Sequence, residues 1–443
     1  MRIDQYLSAV GEQIRWKRAR KPLLAELESH ILDCRDSLVA DGMTEEEAEI
    51  NAVERMGDPV ETGTLLDSVH RPRPDWRVIV CFASLLFYGT ALVWLSFGHD
   101  PGIKMLLIAL CAIPAAVLGY FLDYTRLARF PKALFFSLIA LCTTGQYLTG
   151  QPNGSITISQ LGYAVPLAYG VLLWSLRGGG DSKASLTKRL LFAYIAGAVC
   201  ITAGIFSHAG FGVIIYDFVC CYGIFLYAVS LGIFGTDKKR NTVICAVPLV
   251  LSLALVVLLL TGLYTALGRR LSGALYPYSD PYLYGYLSVL MRELVYNSRM
   301  LGEGGAGTYG FITAVEQQGR TDFFSREYAL AYSAHRLGWL TIAATAAMAA
   351  ALFFFVARGI KRQSCLLGKL TAFPVMICFA VRTAQYFVTN LGFELFTLDG
   401  LPLFSYNGKL MILDAFMAGL LLSVFRTESI SRDSVPSLHV NTE

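Results

Sequence analysis

Apolar runs of about twenty residues, separated by short polar stretches, recur along most of this 443-residue chain. Such a run is about as long as a helix that crosses a roughly 30 Å hydrocarbon core. About ten are present, near 77–97, 103–122, 133–149, 157–176, 189–207, 211–234, 243–266, 337–357, 367–389 and 404–425. In lipid a crossing segment must satisfy its own backbone polar groups, so each run is expected to be a helix. The pattern therefore predicts an all-α polytopic membrane domain over 76–428, with a large polar loop at 267–326 and a polar tail at 429–443.

The first 75 residues follow a different pattern. Leu24, Leu27, Ile31, Cys34 and Leu38 recur at three- and four-residue intervals, which gives one helix an apolar face. Pro22 suits the first turn of that helix, and Asp41-Gly42 ends it. Thr44 to Glu47 reads as a capping box for a second helix, which Ala48, Ala52, Val53 and Met56 carry to Gly57. Leu65 and Leu66 give a short third helix. A small three-helix domain over 1–75 is expected, too small for a deep active site and without a catalytic constellation.

Composition agrees with the membrane reading: mean hydropathy is +0.51, 55% of residues are hydrophobic and only 16% are charged. A soluble enzyme is excluded. The net charge of +4 is mostly loop asymmetry. Arg71, Arg73 and Arg77 precede the first run, and Arg126, Arg129 and Lys132 lie between the second and third. Arg177, Lys183, Lys188 and Arg189, then Lys238, Lys239 and Arg240, and then Arg358, Lys361 and Arg362 mark the same side, as does Arg426 after the last run. The intervening loops hold almost no basic residues, so both termini are expected in the cytoplasm and 267–326 outside. No cleavable signal peptide is expected, because the charged first 75 residues lack an apolar core. None of the ten cysteines falls in the outer loop, so no disulfide framework is expected there. Six scattered histidines suggest no metal cluster, and nothing reads as a nucleic-acid signature.

Candidate chemistry concentrates in the outer loop. Its basic residues are all arginines: Arg269, Arg270, Arg292, Arg299, Arg320 and Arg326. Guanidinium groups fork onto phosphate oxygens in a way that lysine cannot. Each arginine equally suits an anionic headgroup, or a pairing with Asp280, Glu293, Glu303 or Glu316. Tyr276, Tyr278, Tyr282, Tyr284 and Tyr286 suit an interfacial aromatic belt better than a sugar-stacking surface. Within the runs, Asp217, Arg382 and Asp414 are costly to bury. They read either as functional groups or as mutual partners that lock the bundle.

Several motifs carry a family resemblance. Arg270 through Tyr276-Pro277 to Asp280-Pro281, then Gly285-Tyr286 and Gly302-Glu-Gly304, resemble the large extracytoplasmic loop of the SEDS family (FtsW, RodA and SpoVE). Asn390-Leu-Gly392 and Gly400 through Ser405-Tyr406-Asn-Gly408 echo the final signature of that family. Ala25 to His30, Asp41 to Ala48 and Met56 to Pro59 resemble the HAAS-type permease prefix domain, which implies a regulatory or docking role, with a folding cap equally open. The SEDS resemblance implies a bacterial plasma-membrane glycosyltransferase that polymerises lipid II in division, elongation or sporulation. It also implies a class B penicillin-binding transpeptidase as partner, alongside membrane lipids.

Two departures shape the implied site. The closing Pro-Phe-Ser-Tyr-Gly-Gly-Ser of the family becomes Leu403-Phe-Ser405-Tyr406-Asn-Gly408-Lys409. The family's catalytic Asp lies ten residues before a Leu-Gly pair; here Asp322 lies fifteen before Leu337 and Glu327 lies ten before it. Register along a helix sets side-chain direction, so the resemblance implies Glu327 as the general base, with Asp322 second. Arg270, Asp280, Arg320, Arg326, Ser405 and Tyr406 are the implied substrate-binding residues. The resemblance fixes no cofactor, and the leaving pyrophosphate suits a divalent cation, Mg or Mn. A non-catalytic regulator or lipid II-binding scaffold, and a precursor flippase, remain the alternatives.

Overall fold

The computed structural model describes residues 1–149, 160–178, 183–206, 211–235, 237, 239–250, 266–317, 327–394, 400–404 and 406–427. The described residues are helical or irregular, and they fall into two compact units, one of Met1–Pro74 with the residues from Phe425 onward and the other Asp75–Val424.

The first unit contains four helices: α1 Ile3–Gln13, α2 Lys17–Ala40, α3 Glu45–Arg55 and α4 Pro59–His70. The pattern argued for three. The additional helix, α1, contributes Tyr6 and Val10 to the core shared with Ile31, Leu38, Ala48, Ala52 and Val53. Leu24, Leu27, Cys34 and Met56 pack against that core. The Tyr6 hydroxyl lies 3.1 Å from the Met56 carbonyl and 3.2 Å from Thr62 Oγ1, which ties α1 to the entry of α4. Pro22 is not in the first turn of α2, because that helix begins at Lys17. The Thr44 cap forms as expected: its oxygen accepts from Glu47 N at 3.4 Å, and its hydroxyl donates to the Glu47 carboxylate at 2.8 Å. Asp58 caps α4 by accepting from Val60 N and Glu61 N.

The second unit is a helical membrane bundle. Among the described residues, seven helices are long and apolar enough to cross a membrane: Trp76–Phe97, His99–Phe121, Ala184–Thr202, Gly212–Ser230, Leu340–Arg362, Leu366–Asn390 and Gly408–Arg426. We label α5 Trp76–Phe97, α6 His99–Phe121, α7 Pro131–Thr149, α8 Val165–Ser175, α9 Lys183–Phe206 and α10 Phe211–Ser230. After these come α11 Ala266–Leu275, α12 Tyr286–Tyr296, α13 Phe311–Gln317, α14 Ala329–Leu337, α15 Leu340–Arg362, α16 Leu366–Asn390 and α17 Gly408–Arg426. The expected run at 133–149 is α7, and α8 occupies the second half of the run at 157–176. Residues 239–250 are helical, and the rest of the run at 243–266 lies almost wholly outside the described residues. Helix α8 is buried from Val165 to Trp174, which explains why its sequence is apolar on every face.

Two short helices lie across the span ends. α12 meets residues just beyond two spans at three points along its length. Its Ser288 Oγ is 3.4 Å from Glu394 N, its Arg292 Nε donates to Gly392 O at 3.0 Å, and its Val295 O accepts from Trp339 Nε1 at 3.1 Å. α14 meets the end of α5, where Ser96 and Ser333 hydroxyls are 2.8 Å apart and Phe97 stacks on Tyr332 at 4.9 Å. Both helices therefore sit at the level where the spans leave the apolar layer.

Candidate functional site

The site is built on the N-terminus of α14. The first N–H groups of a helix have no partner within it, and here α16 supplies the acceptors. Leu330 N donates to the Tyr386 hydroxyl at 3.1 Å, and Ala331 N donates to Asn390 Oδ1 at 2.9 Å. Asn390 Nδ2 returns a hydrogen bond to the Glu327 carbonyl at 3.0 Å and donates to Tyr386 O at 2.9 Å. One asparagine thus binds both strands of the turn that enters α14 and holds Glu327 two residues ahead of the helix.

The other end of α14 is equally constrained. Gly338 follows Leu337 with φ +110°, a conformation that favours glycine, and a Cβ there would lie 2.4 Å from Met300 O. This is the Leu-Gly pair from which the register of Glu327 was counted.

Around the start of α14 a second acid appears. The Tyr328 hydroxyl donates to Glu394 Oε1 at 3.1 Å. Burial, with the Glu394 and Glu327 carboxylates beside it, pushes the Tyr328 phenol well above its ordinary value, so it remains a donor. Glu327 itself is half-buried. Arg336, near the other end of α14, pairs with Glu303.

Arg292 closes the floor of the loop. Besides its bond to Gly392 O, it donates through Nη2 to Ala274 O at 2.9 Å and lies 4.7 Å from the Phe393 ring centre. These contacts join α11, α12 and the segment after α16, so this arginine serves the fold. Glu293 is buried and accepts from Tyr309 N at 2.7 Å. Asp280 is half-buried, and its carbonyl accepts from Gly285 N at 3.0 Å, which closes the turn between the two halves of the loop motif. Tyr278, Tyr282, Tyr286, Tyr309 and Phe311 form one cluster of touching rings, from Tyr286–Phe311 at 4.8 Å to Tyr282–Tyr309 at 6.4 Å.

The closing segment is held from within the membrane. Arg382 and Asp414 are completely buried and pair bidentately, at 2.5 and 3.1 Å. Arg382 Nη2 also reaches Gly400 O at 3.3 Å, and the guanidinium lies 4.9 Å from the Tyr163 ring centre. Asp414 in turn receives the backbone N–H of Leu403, a non-glycine residue with φ 62°. Asp217 takes no part in this pair; it is buried in α10, and its Oδ1 has no hydrogen-bond partner among the described residues.

The structure thus brings Glu327 together with Tyr328, Tyr386, Asn390 and Glu394, of which only Asn390 fell within a motif noticed in the sequence. Tyr406 stands half-buried just ahead of α17. Asp322, Arg320, Arg326 and Ser405 lie outside the described residues, as does the side chain of Arg270. Glu394 follows Gly392 by two positions, and an acid so close beyond a span end was the signal available for it.

No protein-family model and no curated protein matches the chain. Solved structures do. A chain from a peptidoglycan synthase complex, described for its coordination of polymerization and crosslinking, is similar at TM-score 0.59 and 17% identity, over 80% of this chain and 98% of that one. The rod shape determining protein RodA of Thermus thermophilus is similar at TM-score 0.52 and 14% identity, over 80% of this chain and 97% of RodA. A point variant of the same RodA matches equally well, at TM-score 0.52. The chain is therefore a multi-pass membrane protein with the RodA fold.

Proposed function

We propose that this protein is a SEDS-type glycan polymerase of the bacterial plasma membrane, acting on lipid II with both termini in the cytoplasm. The observation that carries this reading is the placement of Glu327. On a RodA fold, Glu327 precedes α14 at the family's ten-residue distance from the Leu-Gly pair, and Asn390 and Tyr386 clamp that helix start. In the proposed reaction the 4-hydroxyl of a lipid-linked disaccharide attacks the anomeric carbon of the growing glycan. Glu327 accepts the hydroxyl proton, and the bond to undecaprenyl pyrophosphate breaks with its electron pair on the leaving oxygen. Arg270, Arg320 and Arg326 take up the charge developing on that pyrophosphate, with Asp280, Ser405 and Tyr406 completing the substrate site. A divalent cation would share the charge on the leaving pyrophosphate, since magnesium commonly binds one or two carboxylates plus substrate phosphates; among the described residues no group of three or more His, Cys, Asp or Glu converges on a metal site. A class B transpeptidase is the proposed partner, and the prefix domain, over 1–75, is proposed to regulate or to dock that partner.

The second reading is a non-catalytic lipid II-binding scaffold. It is favoured by the glutamate that stands where the family has aspartate, and by the altered closing segment. Glycan synthesis from purified lipid-linked disaccharide decides between them. The wild type should form polymer, and Glu327→Gln should lose roughly 10²–10⁴-fold, the usual size of a general-base contribution. Asp322→Asn should cost much less. Loss confined to Asp322→Asn would overturn the assignment of the base, and a wild type inactive with every candidate transpeptidase would leave the scaffold reading.

A further inference from the structure

We propose that the turn at 296–301 enters the lipid leaflet beside α15 and anchors the loop helices to the membrane. Its level follows from a span boundary. The span α15 begins at Leu340, so Trp339 stands at the edge of the apolar layer, where tryptophan is favoured. The turn is fastened to that edge. Trp339 N donates to Arg299 O at 2.8 Å, and Gly302 N donates to Leu337 O at 3.0 Å. From the other side, Trp339 Nε1 donates to Val295 O. Bonds before, within and after the turn hold it at one height.

The side chains at that height are apolar and uncovered. Tyr296, Met300 and Leu301 are 89, 71 and 69% exposed, and Trp339 and Leu340 beside them are exposed as well. Two consecutive large apolar residues at the tip of a polar loop call for a cover, because exposed apolar clusters of this kind mark an interaction surface. Continuity identifies the cover. The patch runs directly into α15, an apolar span of whose hydrophobic stretch only 28% is buried by the rest of the protein. Arg299, exposed and immediately before the tip, supplies a cation at the depth of the phosphates, as membrane-entering segments do. A transmembrane helix of another protein is the competing occupant, and nothing continuous with the patch calls for one. On the orientation proposed above the leaflet is the outer one, but the anchor itself does not depend on the polymerase reading. Its consequence is positional: α12 and α14 are held at a set height, and with them Glu327.

Photo-crosslinking tests the anchor. p-Benzoylphenylalanine is placed at Met300, at Leu301 and, as a water-facing reference, at the exposed Ala306. The purified full chain in phospholipid nanodiscs and the same variants in native membranes are irradiated, and adducts are read by peptide mass spectrometry. Lipid adducts at 300 and 301, several-fold above those at 306 and present in both settings, are the expected result. Adducts at 300 and 301 no greater than at 306 in nanodiscs would overturn the anchor. Protein adducts in place of lipid in native membranes would overturn lipid as the occupant.

Discussion

Arg382 and Asp414 show how a single pair of charges can be tolerated in the middle of an apolar bundle. Moving either ion from water into the interior is expensive, and that cost is offset by the pair's bidentate geometry and by backbone contacts at Gly400 and Leu403, although Arg382 Nε finds no hydrogen-bond partner among the described residues. Asp414→Asn, which leaves a buried guanidinium without its counter-charge, should cost about 3–5 kcal/mol. Replacing both residues by leucine should recover much of that loss, since a packed apolar pair is often no less stable than a buried ion pair. Thermal unfolding of the detergent-solubilised variants would check both; equal loss in the single and double variants would show that the pair does more than neutralise itself. In the sequence both residues stood out as costly and as mutual partners within the bundle; which acid would pair with Arg382 did not, because thirty-two positions separate it from Asp414 and Asp217 was an equal candidate. Glu394 and Tyr328 escaped notice for a similar reason: a tyrosine ahead of a helix and an acid beyond a span gain meaning only when the fold brings them to 3.1 Å.

At the scale of elements, periodicity was most informative where one solvent dominates. Long apolar runs became α5, α6, α15, α16 and α17 within a few residues, since in lipid a helix is the only economical conformation. The prefix was harder. Ile3, Tyr6, Val10 and Ile14 repeat at helical spacing, yet the repeat is too short to specify α1 alone, and the partners of the Tyr6 hydroxyl, Met56 and Thr62, lie some fifty positions away. The start of α14 was legible only as a register, counted back from Leu337-Gly338, whereas its caps come from α16. That arrangement yields a prediction. Asn390→Ala removes the acceptor for Ala331 N and the donor to Glu327 O together, which should cost about 1–3 kcal/mol. It should also raise amide hydrogen exchange at 329–332 while leaving α15 unchanged. Unaltered exchange there would show that α14 is held by packing alone. Gly338→Ala tests the other end: with φ +110° and Met300 O in the way, it should destabilise by more than the roughly 1 kcal/mol typical of glycine replacements, seen as a lower unfolding temperature.

At the scale of the whole molecule, the two units answer to different solvents, and that separation is testable. The first unit has its own core around Tyr6, Ile31 and Ala52 and caps two of its own helices with Thr44 and Asp58. Residues 1–74 expressed alone should be soluble, helical by circular dichroism and cooperative on heating; a coil spectrum would show that this core needs the membrane unit. For the membrane unit, the fold places the ends of α5 and α16 and the starts of α15 and α17 on one side, together with α12 and α14. The turn between α15 and α16 must then lie on the opposite side, where Lys361 and Arg362 are found. Short loops rich in lysine and arginine stay in the cytoplasm, and that asymmetry supports the orientation proposed above. Cysteines introduced at the exposed Ser272 and Ala306 should react with a membrane-impermeant maleimide in intact cells, and one at the exposed Ser364 should react only after permeabilisation. Reaction at Ser364 in intact cells, with none at Ser272 and Ala306, would invert the topology. It would then place Glu327 on the cytoplasmic face, where a polymerase of exported glycan has no use for it.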